Sequence, residues 1–308
     1  LKIIILARKP NAYFNQKLEQ AAKHSHIEIQ VLDPLACELL LDGKNTQVIY
    51  NGKPVLNTDF VIPRMGAAVL EYGISVLRHF EILGIPVLNS SLSITNILNR
   101  FEYLQILASH EMLSTPKSVL IRKSSQIKSA MERVNGPPAV LKVMSSNNKL
   151  GAMLIDKVST AESFLDVNSI MGGMGQLGQD IIIEEYIKEA EGKAIHLLVV
   201  NKEVAGAFYT LKAFTPKQAS MFQQKPAKGL ITPELTISQM ATYTTRVLNL
   251  DFALISFLDS IDGPRIYKIN ITPEIDIFEK VPGAEVPAKI IAYAADRCQA
   301  KISTGVKQ

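Results

Sequence analysis

Short apolar runs rich in β-branched residues alternate with stretches of helical spacing from the start of the chain. Ile3-Ile4-Ile5-Leu6-Ala7, ended by Lys9-Pro10-Asn11, reads as a buried parallel strand. Phe14, Leu18 and Ala21-Ala22 then recur at helical spacing, and Ile27 to Leu32 alternates as a second strand stopped by Asp33-Pro34. This is a βαβ opening. Asp59 to Arg64 predicts another strand with its loop, Val69 to Leu83 a helix, and Gly84 to Asn89 a further strand, so a three-layer α/β unit is expected over residues 1–90.

From Ile94 to His110 the apolar positions Ile94, Ile97, Leu98, Phe101, Leu104 and Leu107 predict one connecting helix, ended by Ser114-Thr115-Pro116. A strand (Ser118 to Ile121), a helix (Ser125 to Val134) and a strand (Ala139 to Val143) follow. The polar loop Ser145 to Gly151 then leads into a strand at Ala152 to Ile155, which makes a hairpin lid. Beyond the glycine-dense Gly172 to Gly178, Ile181 to Ile187 reads as a strand that runs into a polar segment. His196 to Val200 and Glu203 to Leu211 read as a hairpin, Ser238 to Asn249 as a helix, Ala253 to Leu258 and Arg265 to Ile271 as strands, and Ala288 to Gln299 as a closing helix. Thr215 to Lys228, with three Gln, is the candidate disordered or substrate-facing loop. The expected divisions are 1–90, 91–187 and 188–308.

Composition narrows the class. With 308 residues, 47% hydrophobic and 20% charged, the chain is an ordinary folded protein of two or three units. Its formal charge of +4 over that length names no nucleic-acid partner. Cys37 and Cys298 stand far apart with no C-x-x-C pair, which fits a cytoplasmic setting and neither a disulfide scaffold nor a zinc site. No apolar run approaches the ~20 residues of a membrane span.

The order of parts is a small α/β unit, a strand ending in Lys142, a lid hairpin, a strand ending in Glu185-Tyr186-Ile187, and a last lobe closing with Asn270-x-x-Pro273. In that order the chain resembles the ATP-grasp superfamily, and within it the RimK-like ligases that add glutamate to a carboxylate. The segments Phe60 to Gly66, Tyr72 to Leu88, Val140 to Val143, Glu185 to Ala190 and Lys268 to Pro273 carry the resemblance. It implies a pre-ATP-grasp α/β domain over 1–90, a linker helix and small lobe with lid over 91–187, and a large lobe over 188–308. It also implies that ATP lies between the lobes.

Site residues follow from the same resemblance. Lys142 would neutralise phosphate oxygens with its compact ammonium, and Arg100, where the family usually has Lys, would reach phosphate with a planar guanidinium. Glu185, Tyr186 and Ile187 would offer main-chain groups to the edge of adenine. On strand-end loops of the first unit, Arg8, Lys9 and Arg64 are placed to hold an acidic substrate. A protein or peptide substrate, or a partner ligase, is expected, as is a homo-oligomer.

The resemblance breaks at the metal. Mg²⁺ demands hard oxygen ligands, and the family supplies an Asp on one strand and a Glu and an Asn two residues apart on the next, a spacing that shares one sheet face. Here those positions read Ser256, Lys268 and Asn270, so Asn270 alone keeps a family ligand type and Lys268 becomes a candidate phosphate contact instead. Two unit positive charges ~4 Å apart repel by about 4 kcal/mol at an effective dielectric of 20, and a divalent ion doubles that. The usual dinuclear site is not expected to form. The lid keeps one glycine, and Ala194 and His196 stand where the family tends to place a ribose-holding acid and a phosphate-holding Arg.

Three readings remain open: a nucleotide-binding pseudo-ligase or regulatory partner, an active carboxylate–amine ligase working through an acyl phosphate, and a scaffold that binds no nucleotide. If the metal positions are assigned correctly, Lys268→Glu combined with Ser256→Asp gives a protein whose thermal stabilisation by ATP becomes Mg²⁺-dependent. An unchanged metal response counts against the assignment.

Overall fold

The computed structural model describes residues 1–144, 150–163, 181–190, 192–211 and 227–303. Its first unit is built on β1 (Lys2–Leu6), which lies parallel between β2 (Glu28–Leu32) and β6 (Phe60–Pro63). Helix α1 (Tyr13–His24) makes the crossover from β1 to β2, burying Phe14, Leu18 and Ala22 on the stripe that their spacing of four dictates. Between β2 and β6 a small antiparallel sheet intervenes, β3 (Cys37–Leu40), β4 (Gln47–Tyr50) and β5 (Lys53–Pro54), which the sequence pattern did not announce. Its strands are too short for alternation to register. Tertiary contacts hold it: Val48 is buried, and the Tyr72 hydroxyl of α2 (Leu70–Ile82) donates to the Cys37 carbonyl at 2.8 Å.

Two expected elements differ. The strand predicted over Gly84 to Asn89 contracts to a single parallel bridge, Val61 to Val87, because Pro86 has no N–H to give a ladder and Asn89 turns left-handed at φ 59°. The single connecting helix is two, α3 (Ser91–Leu98) and α4 (Arg100–Ala108), broken at Asn99. Asn99 is extended (φ −86°, ψ 105°), and its side chain accepts from the N–H groups of Phe101 and Glu102, an N-cap that restarts the helix in a new direction.

The small lobe is the antiparallel sheet β7 (Ser118–Ile121), β10 (Ile181–Glu185), β8 (Ala139–Met144) and β9 (Leu150–Ile155), in that spatial order. Helix α5 (Ile127–Arg133) covers one face, packing Ile127, Ala130 and Met131 on Leu141, Val143, Ile181 and Ile183. Of the anticipated lid, β8 and β9 pair as a hairpin, while residues 145–149 at its tip lie outside the described residues. Gly172 to Gly178 also lies outside them, as does most of the candidate loop Thr215 to Lys228.

The large lobe is a five-stranded antiparallel sheet ordered β13 (Ala227–Ile231), β12 (Glu203–Leu211), β11 (Lys193–Val200), β14 (Phe252–Leu258), β15 (Arg265–Asn270). Alternation divides its residues between two cores. Leu197, Val199, Ile255 and Phe257 pack against α4 and α6 (Leu235–Val247). Leu198, Val200 and Phe252 join Phe14, Phe60 and the closing helix α7 (Val286–Ser303) in a core shared with the first unit. Asn89 fastens that junction: its Nδ2 donates to the Phe252 carbonyl at 2.7 Å, and its Oδ1 accepts from the N–H groups of Asp251 and Phe252 at 2.9 and 3.0 Å.

Asn89→Ala therefore leaves buried backbone groups of Asp251 and Phe252 unpaired and is expected to cost about 2–4 kcal/mol of stability, read as a lowered urea midpoint. A loss within error of zero would mean that water replaces the side chain.

Candidate active-site cleft

The face of the small-lobe sheet turned away from α5 carries Lys142. It is set by register: Val140 stands opposite Glu184 and Lys142 opposite Ile182, so period-2 alternation puts Lys142 and Glu184 diagonally on one face. Both are buried, at 8% and 2% exposure. The first residue of α4, Arg100, is buried beside them at 6%. Its Nε and Nη2 donate to the two carboxylate oxygens of Glu184 at 2.5 and 2.9 Å, a bidentate pair, and Nη1 reaches the Tyr103 hydroxyl. Lys142 Nζ donates to Glu184 Oε2. One carboxylate thus holds two cations.

The electrostatics follow this geometry. Burial, reinforced by Arg100 and Lys268 and opposed by Glu184, lowers Lys142 to about 8. Burial alone would raise the Glu184 carboxyl, but Lys142 and Arg100 hold it below the usual carboxylate value. Arg100 is kept above its ordinary value: burial opposes its charge, while Tyr103 and Glu184 favour it.

On the large-lobe side of the cleft the candidate metal positions share a row. Ser256 stands opposite both His196 and Lys268, and Asn270 follows Lys268 by two on the same face. A bulge between Ser256 and Phe257 leaves Tyr267 as the extra residue on β15. The side-chain donors are already engaged. His196 is buried, with Nδ1 2.8 Å from Ser256 Oγ, Nε2 2.8 Å from Thr210 Oγ1 and its ring stacked on Phe208. Asn270 Oδ1 accepts from the Thr272 N–H at 3.0 Å. Ser256 and Asn270 offer neutral oxygens and Lys268 an ammonium, so this row does not fit Mg²⁺. The acids nearby are exposed, Asp259 and Glu274 on loops and Asp276 at the start of a 3-10 turn. Among the described residues no group of three or more His, Cys, Asp or Glu is arranged to hold a metal.

The segment expected to meet adenine leaves the sheet here. Glu185 ends β10, its carboxylate accepting from the Lys117 N–H and from Asn135, while Tyr186 is half-buried and Ile187 buried. The two arginines proposed for an acidic substrate part company. Arg8 is exposed, 3.9 Å from Asp33. Arg64 lies between the lobes, its guanidinium 3.9 Å from the Phe14 ring centre and its Nη1 donating to the Pro273 carbonyl at 3.1 Å; burial lowers it to about 10 against the pull of Glu274. Arg64 thus already serves a contact between the lobes. Lys9 keeps its place on the strand-end loop, exposed.

Glu184 escaped the sequence reading. The signal was present as an acid directly after Ile181-Ile182-Ile183, sharing the strand face of Ile182 two residues before it. A pair of acids at the end of an apolar run otherwise reads as a strand terminus, and only the register of Glu184 against Lys142 and the approach of α4 give it a role.

Comparison with known proteins matches two successive spans of the chain. A family model described as the RimK PreATP-grasp domain matches residues 1–94, and one described as the RimK-like ATP-grasp domain matches residues 98–294. A probable alpha-L-glutamate ligase of Marinomonas sp. is 31% identical over 294 residues, 95% of each chain. Its counterpart in Stutzerimonas stutzeri is 32% identical over the same span. Among solved structures, a RimK domain protein from Sphaerobacter thermophilus superposes with a TM-score of 0.73 at 15% identity, covering 95% of this chain and 99% of its own. The ATP-grasp ligase PsnB complexed with minimal precursor gives 0.72 at 13% identity, covering 96% and 98%. The macrocyclase MdnC from Microcystis aeruginosa, bound to precursor peptide MdnA, gives 0.70 at 11%, covering 96% and 100%.

A depressed carboxyl contributes stability above its unfolded value and loses it as pH falls through the folded one. Wild-type stability is therefore expected to drop as pH falls below 4.5, the ordinary value for this carboxyl. Glu184→Gln removes that share of the slope, checked by chemical denaturation across the acid range. Parallel pH profiles would mean that Glu184 is not ionised in the fold.

Proposed function

Since the chain belongs to the RimK-like ATP-grasp family, we propose that it keeps the scaffold of an ATP-dependent carboxylate–amine ligase but acts as a non-catalytic member. On this reading it binds a peptide or protein carboxylate, or an active relative, without forming the acyl phosphate. The observation that carries this reading is the donor set of the Ser256, Lys268 and Asn270 row, where a cation stands in place of an acid. Phosphoryl transfer in this chemistry depends on a divalent ion that bridges phosphate oxygens. The peptide or protein class is supported by the folds it resembles, since PsnB and MdnC are solved with precursor peptides.

Kinship favours a second reading: an active ligase that adds glutamate to a protein or peptide carboxylate. Relatives about as similar along the whole chain are described as probable alpha-L-glutamate ligases. In that case ATP phosphorylates the acceptor carboxylate, the amine of glutamate displaces phosphate, and ADP leaves. Lys142, Arg100 and Lys268 would bind the phosphates, and the main chain of Glu185, Tyr186 and Ile187 the base. PsnB has been solved with Mg and ADP, so a metal-dependent route in this chain requires oxygen donors from outside the Ser256 row.

One assay separates the two. The chain with ATP, Mg²⁺, glutamate and peptides ending in glutamate is expected to release ADP no faster than without acceptor, with no mass gain on the peptide. Acceptor-dependent ADP release together with a peptide heavier by one glutamyl unit establishes the ligase.

A further inference from the structure

We propose that Glu184 is a built-in occupant of the phosphate site, a carboxylate from the chain itself that holds the two cations a polyphosphate would otherwise take. This rests on reading Lys142 and Arg100 as the phosphate-binding cations of the cleft. The geometry contributes an independent argument. Arg100 opens α4, where the positive end of the helix disfavours a cation. Lys142 lies buried beside it, bonded to the same carboxylate.

Two cations, Arg100 and Lys142, are buried together, and a buried pair of this sign requires a compensating anion. Glu184 is that anion, and it is fully engaged. Both carboxylate oxygens accept from Arg100, and Oε2 also accepts from Lys142. A phosphate that takes the donors now bound to Glu184 must displace a buried carboxylate that is covalently part of β10 and cannot diffuse away. In effective-concentration terms the internal anion competes at very high strength. The arrangement therefore selects against di- and triphosphates in the resting protein, and the side chain at position 184 sets that selectivity.

The test is binding of inorganic pyrophosphate and of ATP, without metal and without acceptor, to the full chain and to Glu184→Gln, by calorimetry. The variant leaves Arg100 and Lys142 without their carboxylate and is expected to gain affinity for pyrophosphate on the order of tenfold or more over wild type. Adding Lys142→Met to it should abolish the gain. Should Glu184→Gln fail to fold alone, pyrophosphate present during refolding restores it and chloride at equal ionic strength does not, since ligand that binds only the native state stabilises it. Equal affinity of wild type and variant, or refolding indifferent to pyrophosphate, overturns the assignment. Because these titrations contain neither Mg²⁺ nor acceptor, they fail or succeed separately from the ADP-release assay.

Discussion

The Glu184 carboxylate, buried between Arg100 and Lys142, is the interaction around which the cleft is organised. Removing two cations and an anion from water costs several kcal/mol per ion, and only close, multiply hydrogen-bonded geometry offsets it. Each partner comes from a different piece of chain: the start of α4, the middle of β8 and the end of β10. The cluster thus ties the helix leading from the first unit to the sheet of the small lobe. The break at Asn99 follows the same logic, because an uninterrupted helix would carry Arg100 along the axis of α3. The Asn99 cap redirects the chain as Arg100 enters the cleft.

Across the cleft stands the large-lobe row of Ser256, Lys268 and Asn270. Here it presents an ammonium, a hydroxyl bonded to a buried imidazole, and an amide engaged in a turn. The row carries a cation on the large-lobe side, while Arg100 and Lys142 on the small-lobe side are already bound to a carboxylate. His196 has been absorbed into packing, held between Ser256 and Thr210 and stacked on Phe208.

The first unit and the large lobe are held together by apolar burial and directed backbone bonds, independently of these charges. Phe14, Phe60, Phe252 and Ile290 lie in one core although they belong to different units. Asn89 and Arg64 stitch its edge by bonding to carbonyls and N–H groups of the other lobe. The two cores of the large lobe leave out the Ser256, Lys268 and Asn270 row.

The sequence by itself determined the βαβ opening, the strands carrying Lys142, Ser256, Lys268 and Asn270, and the shared face of the last two. Period-2 and period-3.6 patterns are local properties that survive without knowledge of neighbours. It also carried the family, through the order of weak segments along the whole chain. Only the tertiary structure decided which charges meet. The small sheet over residues 37–54, the break at Asn99 and the loss of the strand at Pro86 depend on side-chain caps and packing partners distant in sequence. The pairing of Glu184 with Arg100 spans 84 residues and depends on strand register and helix direction together. A pattern along one segment records which way a side chain points, whereas the identity of the group it points at is fixed only when separate segments are brought together.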